Sequence, residues 1–323
     1  MKKVLGMTIL LVVLCIAINF DNARFSSTVN LQNLSRQIAL LAIFAIGEGI
    51  VILSGGIDLS VGSVIAFTGL FVAYAVSKFG MSPWAASGIV LVLCVVIGLA
   101  HGLLITKVKL QPFIATLCSM LILRGLARGL TSDGTMGFGN ESVTFRALGD
   151  GNWLGIPAPM VILAVVAVIA HFFMRYTVYG RYLYAIGRNP DAARYSGVKV
   201  DRMQTGSYLA CAILAGIAGI LYAGYTNSVQ PATTGQAYEL YAIAAAVLGG
   251  CSMRGGEGTV LGIIIGASIM RVMYNGIILV GISTFYEFAV IGLVILIGVV
   301  ADASVKRRSA RVAKQPAKHP AET

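Results

Sequence analysis

Residues 84–106 run for 23 positions without an aspartate, glutamate, lysine or arginine. A helix needs about 20 such residues to cross the hydrocarbon core of a bilayer. Nine further apolar segments punctuate the chain, at 4–20, 32–53, 61–78, 112–130, 158–176, 205–225, 238–250, 259–281 and 285–302. The fold class that follows is an all-α membrane protein of about ten transmembrane helices. Segment 238–250 is too short to cross as a straight helix, so it is expected to be broken, extended into its flanks or re-entrant. Glycine and proline mark many segment ends, among them Pro83, Pro112, Pro157 and Pro231. Such interruptions are tolerated only where protein or a wet cavity covers the backbone.

Of the chain, 57% is apolar and 11% charged, and the formal net charge is +11. That charge does not mark a nucleic-acid binder, because the cations form no face or stripe. They sit in short loops between apolar runs, as orientation signals do. With a cytoplasmic N-terminus, Lys2, Lys3, Lys107, Lys109, the stretch Gly180–Arg202, Arg254 and the tail residues Lys306, Arg307, Arg308 and Arg311 all fall inside. Ten crossings then return the C-terminus to the cytoplasm. Arg24, Arg36, Lys78 and Arg146 depart from this pattern. The basic start followed by Val4–Ile18 resembles a signal peptide, but Asn19–Asn22 is a poor cleavage site. It is read as a retained first span. The tail, 306–323, reads as a solvated, disordered basic segment that fixes topology or touches anionic headgroups.

The chemistry of an enzyme is missing. His101, His171 and His319 form no metal pattern, and five dispersed cysteines form neither a disulfide framework nor a metal knuckle. Ser196 and Lys199 have the spacing of some acyl enzymes without the accompanying motifs. Arg254–Thr259 is glycine-rich, yet no Gly-Lys-Ser or Gly-Lys-Thr occurs in the chain. A nucleotide-binding loop needs that lysine to reach the β- and γ-phosphates. Ionisable residues within or near the spans are few: Glu48, Asp58, Arg124, Arg128, Glu239, Arg271 and Glu287. Ion- or proton-coupled carriers need such groups at depth.

Three kinds of motif remain. Ser54–Ser63, "SGGIDLSVGS", breaks one helix with two glycines and offers Asp58 or Ser60 as a cap for the next. Asp58 therefore has a structural role available, beside a role in the permeation path or a subunit contact. A faint echo of this stretch runs from Leu248–Gly250 to Gly258–Val260. Small residues spaced by four (Gly98 and Gly102, Gly125 and Gly129, Gly262 and Gly266) allow close helix packing or a homotypic interface. The third motif is the basic island between apolar runs. Asn189 can cap, Pro190 suits the first helical position, Asp191 suits the first turn, and Gly197 stops the helix. It reads either as a membrane-surface loop that enforces topology or as a docking helix for a soluble partner.

The motifs "ILSGGIDLSVGSV" (52–64), "QPFIATL" (111–117), "GRYLYAIGRNPDAARYSGV" (180–198) and "AIAAAVLGGCSMRGGEGTVLG" (242–262) occur in the order found in the ribose-type permeases of bacterial ABC sugar importers, which this sequence resembles. Cys118 and Cys251 depart from the expected residues. The resemblance runs from about residue 30 to 302 and implies a multi-pass inner-membrane permease; the permease domain is taken as 1–305, with a coupling loop near 177–204. It also implies cytoplasmic ABC ATPase subunits that bind ATP–Mg, a second permease (itself or a paralogue), and a periplasmic sugar-binding protein. No cofactor is expected on this chain. Gly180, Gly187, Asn189, Pro190, Asp191, Ala192, Ala193, Arg194 and Gly197 are then the ATPase-coupling residues. Glu48, Asp58, Asn227, Gln230, Gln236 and Tyr241 are candidate pathway or gating groups, each with helix packing as its alternative role. The competing function is an ion- or proton-coupled carrier or passive channel for a small polar solute. The two differ in one measurement. Reconstituted alone in vesicles, the chain is expected to accumulate no solute against a gradient, and concentrative uptake by that preparation would refute the importer reading.

Overall fold

The computed structural model describes residues 2–138 and 142–283, with 286, 289–290, 292–293, 296 and 300 beyond them. Its helices are α1 (Lys2–Asp21), α2 (Thr28–Leu53), α3 (Val61–Phe79), α4 (Pro83–Thr106), α5 (Pro112–Thr131), α6 (Val143–Arg146), α7 (Ala158–Tyr176), α8 (Val178–Arg188), α9 (Pro190–Tyr195), α10 (Val200–Thr226), α11 (Tyr238–Leu248) and α12 (Val260–Val280). Among the described residues, eight helices are long and apolar enough to cross a membrane: α1 to α5, α7, α10 and α12. The chain is thus a helical, multi-pass membrane protein. Candidate segment 285–302 lies largely outside the described residues, and the tail 306–323 wholly so.

The ends follow local chemistry. Pro83 and Pro112 open α4 and α5, where a missing N–H costs nothing. Gly80 and Gly281 close α3 and α12 in the left-handed conformation. One feature falls outside the all-α expectation: Asn152–Trp153 and Ile156–Pro157 form a two-residue antiparallel hairpin, β1–β2. Leu154 and Gly155 between them both have positive φ (53° and 81°), as a primed two-residue turn requires.

Helix α10 is the central column. Its 27 residues extend about 40 Å at 1.5 Å per residue, and it packs against α2, α3 and α4. Small residues make this closeness feasible. Gly98 and Gly102 of α4 sit on the α10 backbone at Leu209 and Thr205, and Gly219 of α10 sits on Ile65 and Thr68 of α3. Gly262 and Gly266 likewise seat α12 on Gly249 and Ala245. Gly125 and Gly129 of α5 face open space instead. They lie on an outer surface with exposed Leu121, Ile122 and Leu126, which suits lipid or another chain.

Two segments are broken, and both breaks lie near the middle of α10. Ser54, just past α2, is level with Ser207, its Oγ 3.1 Å away. The chain then climbs without helix past Tyr208, whose hydroxyl donates to the Ile57 carbonyl (3.4 Å). Only at Val61 does α3 begin, and Ile65 is already level with Gly219. The other break is the short eighth segment. After α10 the chain forms a bridge between Val229 and Met136, turns through 231–237 and starts α11 at Tyr238. Gly235 then lies against Gly62, backbone to backbone. The two half-breaks therefore meet, with α3 running toward one end of the bundle and α11 toward the other.

Two of the four departures from the charge pattern are consumed locally. Arg36 is buried and donates from Nη2 to the Asp150 carbonyl and Asn152 Oδ1, both at 2.8 Å, clamping the hairpin. Arg146 pairs with Asp150 at 3.6 Å. By contrast, Lys107, Lys109 and Arg194 all surround Asp201, at 3.4, 3.7 and 3.0 Å, at the other end of the bundle.

In detergent-solubilised protein, Gly98→Ala and Gly102→Ala are expected to lower stability by about 1–3 kcal/mol through overpacking against α10. Gly125→Ala is expected to be neutral. Thermal unfolding of the three variants checks this; equal effects would place the α4–α10 contact elsewhere.

Candidate functional site

The island folds as two helices, α8 and α9, where a single short helix was expected. Asn189 is extended (φ −159°) because the residue before proline is pushed out of the helical region, and this splits the segment. Asn189 then caps α9, its side chain accepting from Ala192 N at 2.9 Å, and Gly197 ends the segment at φ 83°. Thr177 caps α8 in the same way, accepting from Gly180 N at 3.2 Å. Ile186, Ala193, Val198 and Val200 form a small core of their own beneath these helices. The loop is therefore a folded unit with an outward face. Asn189, Pro190, Asp191, Ala192 and Arg194 are exposed on it. Tyr195, which sequence reasoning passed over, is 93% exposed at its tip.

The inner side of this unit meets both glycine-rich turns. A Cβ on Gly187 would strike the Leu53 carbonyl and the Gly256 N–H, so only glycine lets α8 approach there. Those same two groups are joined, Gly256 N donating to Leu53 O at 2.9 Å. Gly255 packs against Gly55 and Gly187. Tyr184 of α8 donates to the Gly258 carbonyl at 2.7 Å, and Gln204 to the Ser54 carbonyl at 3.4 Å. Burial raises the Tyr184 and Tyr179 phenols, so both stay protonated donors. Burial also pushes the Cys251 thiol up to about 12. The turn after α2 and the turn after α11 are thus fastened to each other and to α8. These are the two stretches whose sequences echo one another.

Higher along α10, acids gather where α3 begins. Asp58 Oδ1 accepts from Ser60 N (2.8 Å) and Ser60 Oγ (2.6 Å). Ser60 itself makes no side-chain cap, so the turn is closed by Asp58, two residues before the N-cap position. Asp58 N donates to Glu48 Oε1 at 3.2 Å, and His101 Nδ1 lies 3.6 Å from Asp58 Oδ2. Glu48 and Asp58 have no exposed surface. Glu239 lies against Gly62. Carboxylates at this place suit the positive end of the α3 dipole. Arg124 of α5 pins the second break, donating from Nη1 to the carbonyls of Pro231 and Thr234 at 2.9 and 2.6 Å. Among the described residues no cluster of three or more His, Cys, Asp or Glu could hold a metal.

Beside these breaks lies a cavity of about 210 Å³. Gln37, Phe44, Tyr222, Tyr225, Tyr238 and Arg271 contribute to its wall. Of the six sequence-based pathway candidates, none is among its lining residues. Glu48 and Asp58 come together in the acid cluster. Asn227 closes α10 at φ 48° and accepts from Phe138 N at 2.8 Å. Gln230 accepts from Thr233 at 2.8 Å, and Gln236 is exposed in the 231–237 turn. Tyr241 sits behind the cavity, against Tyr238 and under Arg271. The tyrosines were missed because an aromatic in an apolar helix carries no local sign of which neighbour it faces. Their spacing, 222 and 225 on one helix face, was the available signal.

Residues 30–299 match the family model described as branched-chain amino acid transport system / permease component. The ribose import permease protein RbsC of Escherichia coli (strain K12) is 40% identical over 296 residues, covering 91% of this chain and 92% of that protein. Its namesake in Bacillus subtilis (strain 168) is 40% identical over 306 residues, 92% of each chain. The L-arabinose transport system permease protein AraH of Escherichia coli (strain K12) is 36% identical over 297 residues, 92% of this chain and 89% of that one. No solved structure matches the chain.

At pH 7.5 the folded protein is expected to leave Cys251 unmodified by N-ethylmaleimide, since its thiolate is a minute fraction and the side chain is enclosed by the turn. Labelling should appear only on unfolding in detergent. Peptide mass mapping reads it, and rapid labelling of native protein would contradict the closed turn.

Proposed function

The chain belongs to this family of transport-system permease components, and from that premise we propose that it is the membrane-spanning permease subunit of an ATP-binding cassette importer for a monosaccharide. The names of the relatives at 36–40% identity support a sugar cargo, ribose and L-arabinose being what two of them are named for. The reading extends to about ten crossings, with both termini in the cytoplasm of a bacterium and the protein in its inner membrane. It takes residues 1–305 as the permease domain and 306–323 as a basic cytoplasmic tail. ATP with its magnesium belongs to separate cytoplasmic ATPase subunits. A second permease, itself or a paralogue, and a periplasmic sugar-binding protein complete the assembly.

One observation carries this reading: a self-folded, outward-facing helix pair is fastened at its root to both broken segments of the bundle. A push on α9 reaches α8 through their shared core. From α8 it passes at Gly187 and Tyr184 to the turns after α2 and α11. Each turn leads toward a break near mid-depth, so displacement at the surface becomes a change where α3 and α11 meet. For that change to be driven, the ATPase must bind the two arrangements with different free energies. Tyr195, Asp191 and Arg194 supply an exposed aromatic beside charges, a composition favoured in binding hot spots. The pair formed by Arg194 with Asp201 is exposed, so its loss costs the fold little.

In the assembled transporter, changing Asp191 and Arg194 together to Ala is expected to leave membrane insertion intact and cut ATP-driven uptake of labelled D-ribose or L-arabinose by at least about tenfold. Tyr195→Ala should do the same, a loss on the scale of about 2 kcal/mol at a docking hot spot. Uptake at the unmodified rate, or uptake that persists without ATP, would overturn the coupling role.

A further inference from the structure

We propose that the cavity walled by α2, α10, α11 and α12 is a binding site for one monosaccharide ring within the permease itself, read by Arg271 through oxygen acceptors and closed to solutes that carry an ammonium group. The cargo class rests on the importer reading above; the site, its reader and its exclusion rule rest on the cavity.

Size comes first. A volume of about 210 Å³ falls below the roughly 300–1,000 Å³ of sites for drug-sized ligands. It fits a single small ring. The walls are aromatic and held in place. Phe44 stacks on Tyr238, with centroids 5.5 Å apart and planes 8° apart, and Tyr222 and Tyr241 meet Tyr238 edge-on at 6.1 and 5.9 Å. Rings locked by their neighbours cost little entropy when a ligand arrives. Phe44, Tyr222, Tyr225 and Tyr238 all line the cavity, so a sugar's C–H side would meet aromatic wall. Gln37 adds a carboxamide that both donates and accepts.

Arg271 decides the chemistry. It lies over the Tyr241 ring, 5.5 Å from the centroid. Its Nε is buried and has no hydrogen-bond partner, and among the described residues it makes no ion pair. A guanidinium has five N–H donors in a fixed fork and no acceptor. Contact with the Tyr241 ring leaves those donors unspent. A cation of this kind, facing a cavity with no acid on its wall, favours a pair of acceptor oxygens on the ligand. Adjacent sugar hydroxyls or a carboxylate present such a pair. An ammonium beside it meets repulsion that no acid on the cavity wall offsets.

The place of the cavity adds a reason for it to open and close. Its wall includes Ile65, four residues into α3, and Tyr238, the first residue of α11. These are the starts of the two broken segments. A shift passed up from α8 through the glycine turns therefore reaches the cavity wall at Ile65 and Tyr238.

The test is ligand binding by the purified full-length chain in lipid nanodiscs, read by saturation-transfer NMR. D-ribose, D-galacturonate and D-glucosamine are the probes. Saturable binding is expected for ribose and galacturonate, and binding weaker by at least about fivefold for glucosamine, the scale of one unfavourable charge contact. Arg271→Gln should weaken ribose binding and erase the discrimination against glucosamine. Arg271→Lys, which keeps the charge and loses the fork, should weaken ribose yet keep the discrimination. Tyr238→Ala should weaken all three, and Gly125→Ala should behave as the unmodified protein. Thermal unfolding of each variant separates lost binding from lost fold. No saturable binding, ribose binding unchanged in Arg271→Gln, or glucosamine bound as tightly as ribose would each overturn the assignment. Failure of the importer reading shows in a different measurement, as accumulation that needs no ATP, and leaves this binding result standing.

Discussion

A peptide group inside a bilayer has no water to bond to, so any interruption of a helix there must find its partners in protein. The architecture of this chain follows from how it meets that demand twice. The stretch between α2 and α3 is covered by α10 and held by Tyr208, Glu48 and an Asp58 turn. The stretch before α11 is held by Arg124, which spends two of its donors on backbone carbonyls. The breaks then share one contact, Gly62 on Gly235, where neither residue has a side chain to keep the backbones apart. Each break is tolerable because other parts of the bundle are close, and they are close because small residues line α4, α10 and α12.

That arrangement leaves two breaks in the bundle and one folded unit at its surface. The unit is α8 with α9, which has its own small core and its own caps. It meets the turns after α2 and α11 by backbone approach at Gly187 and by the Tyr184 hydroxyl on the Gly258 carbonyl. Backbone contact through glycine is short and stiff. The acids around the start of α3 add an electrostatic hold. They lie where a helix dipole is positive, and His101 stands beside Asp58 with both ring nitrogens lacking hydrogen-bond partners among the described residues. The cavity sits at the far end of the same linkage.

Much of this was legible in the sequence. The spans α1 to α5, α7, α10 and α12 fall within a few residues of the apolar runs, because burial in lipid selects composition without regard to tertiary contacts. The shortness of segment 238–250 was equally plain, and it did mark a break. Asn189, Pro190 and Gly197 announced the boundaries of α9 through chemistry that acts over three or four residues. The split of the island in two was legible in principle, since a residue before proline avoids the helical region. The helix read from the Asn189 cap to the Gly197 stop is α9, and α8 before it was not expected. The cavity was out of reach. Phe44, Tyr222, Tyr238 and Arg271 come from four helices, and nothing in any one of them reveals the others.

The sequence by itself determined that this chain lives in a membrane as a bundle of helices, where most of those helices begin and stop, which loops carry the cations, and that no Gly-Lys-Ser or Gly-Lys-Thr occurs in it. These depend on hydrophobicity, proline, glycine and charge acting locally. Only the tertiary structure decided that the two glycine turns touch each other and α8, that Arg36 clamps a hairpin while Arg271 is left facing a cavity, and that Glu48 meets Asp58. Those are facts of juxtaposition between residues dozens to hundreds of positions apart. In lipid, apolar side chains attract one another no more than they attract the bilayer. The choice of partners therefore falls to close backbone approach and to a few buried polar groups, and neither can be read without the neighbour in place.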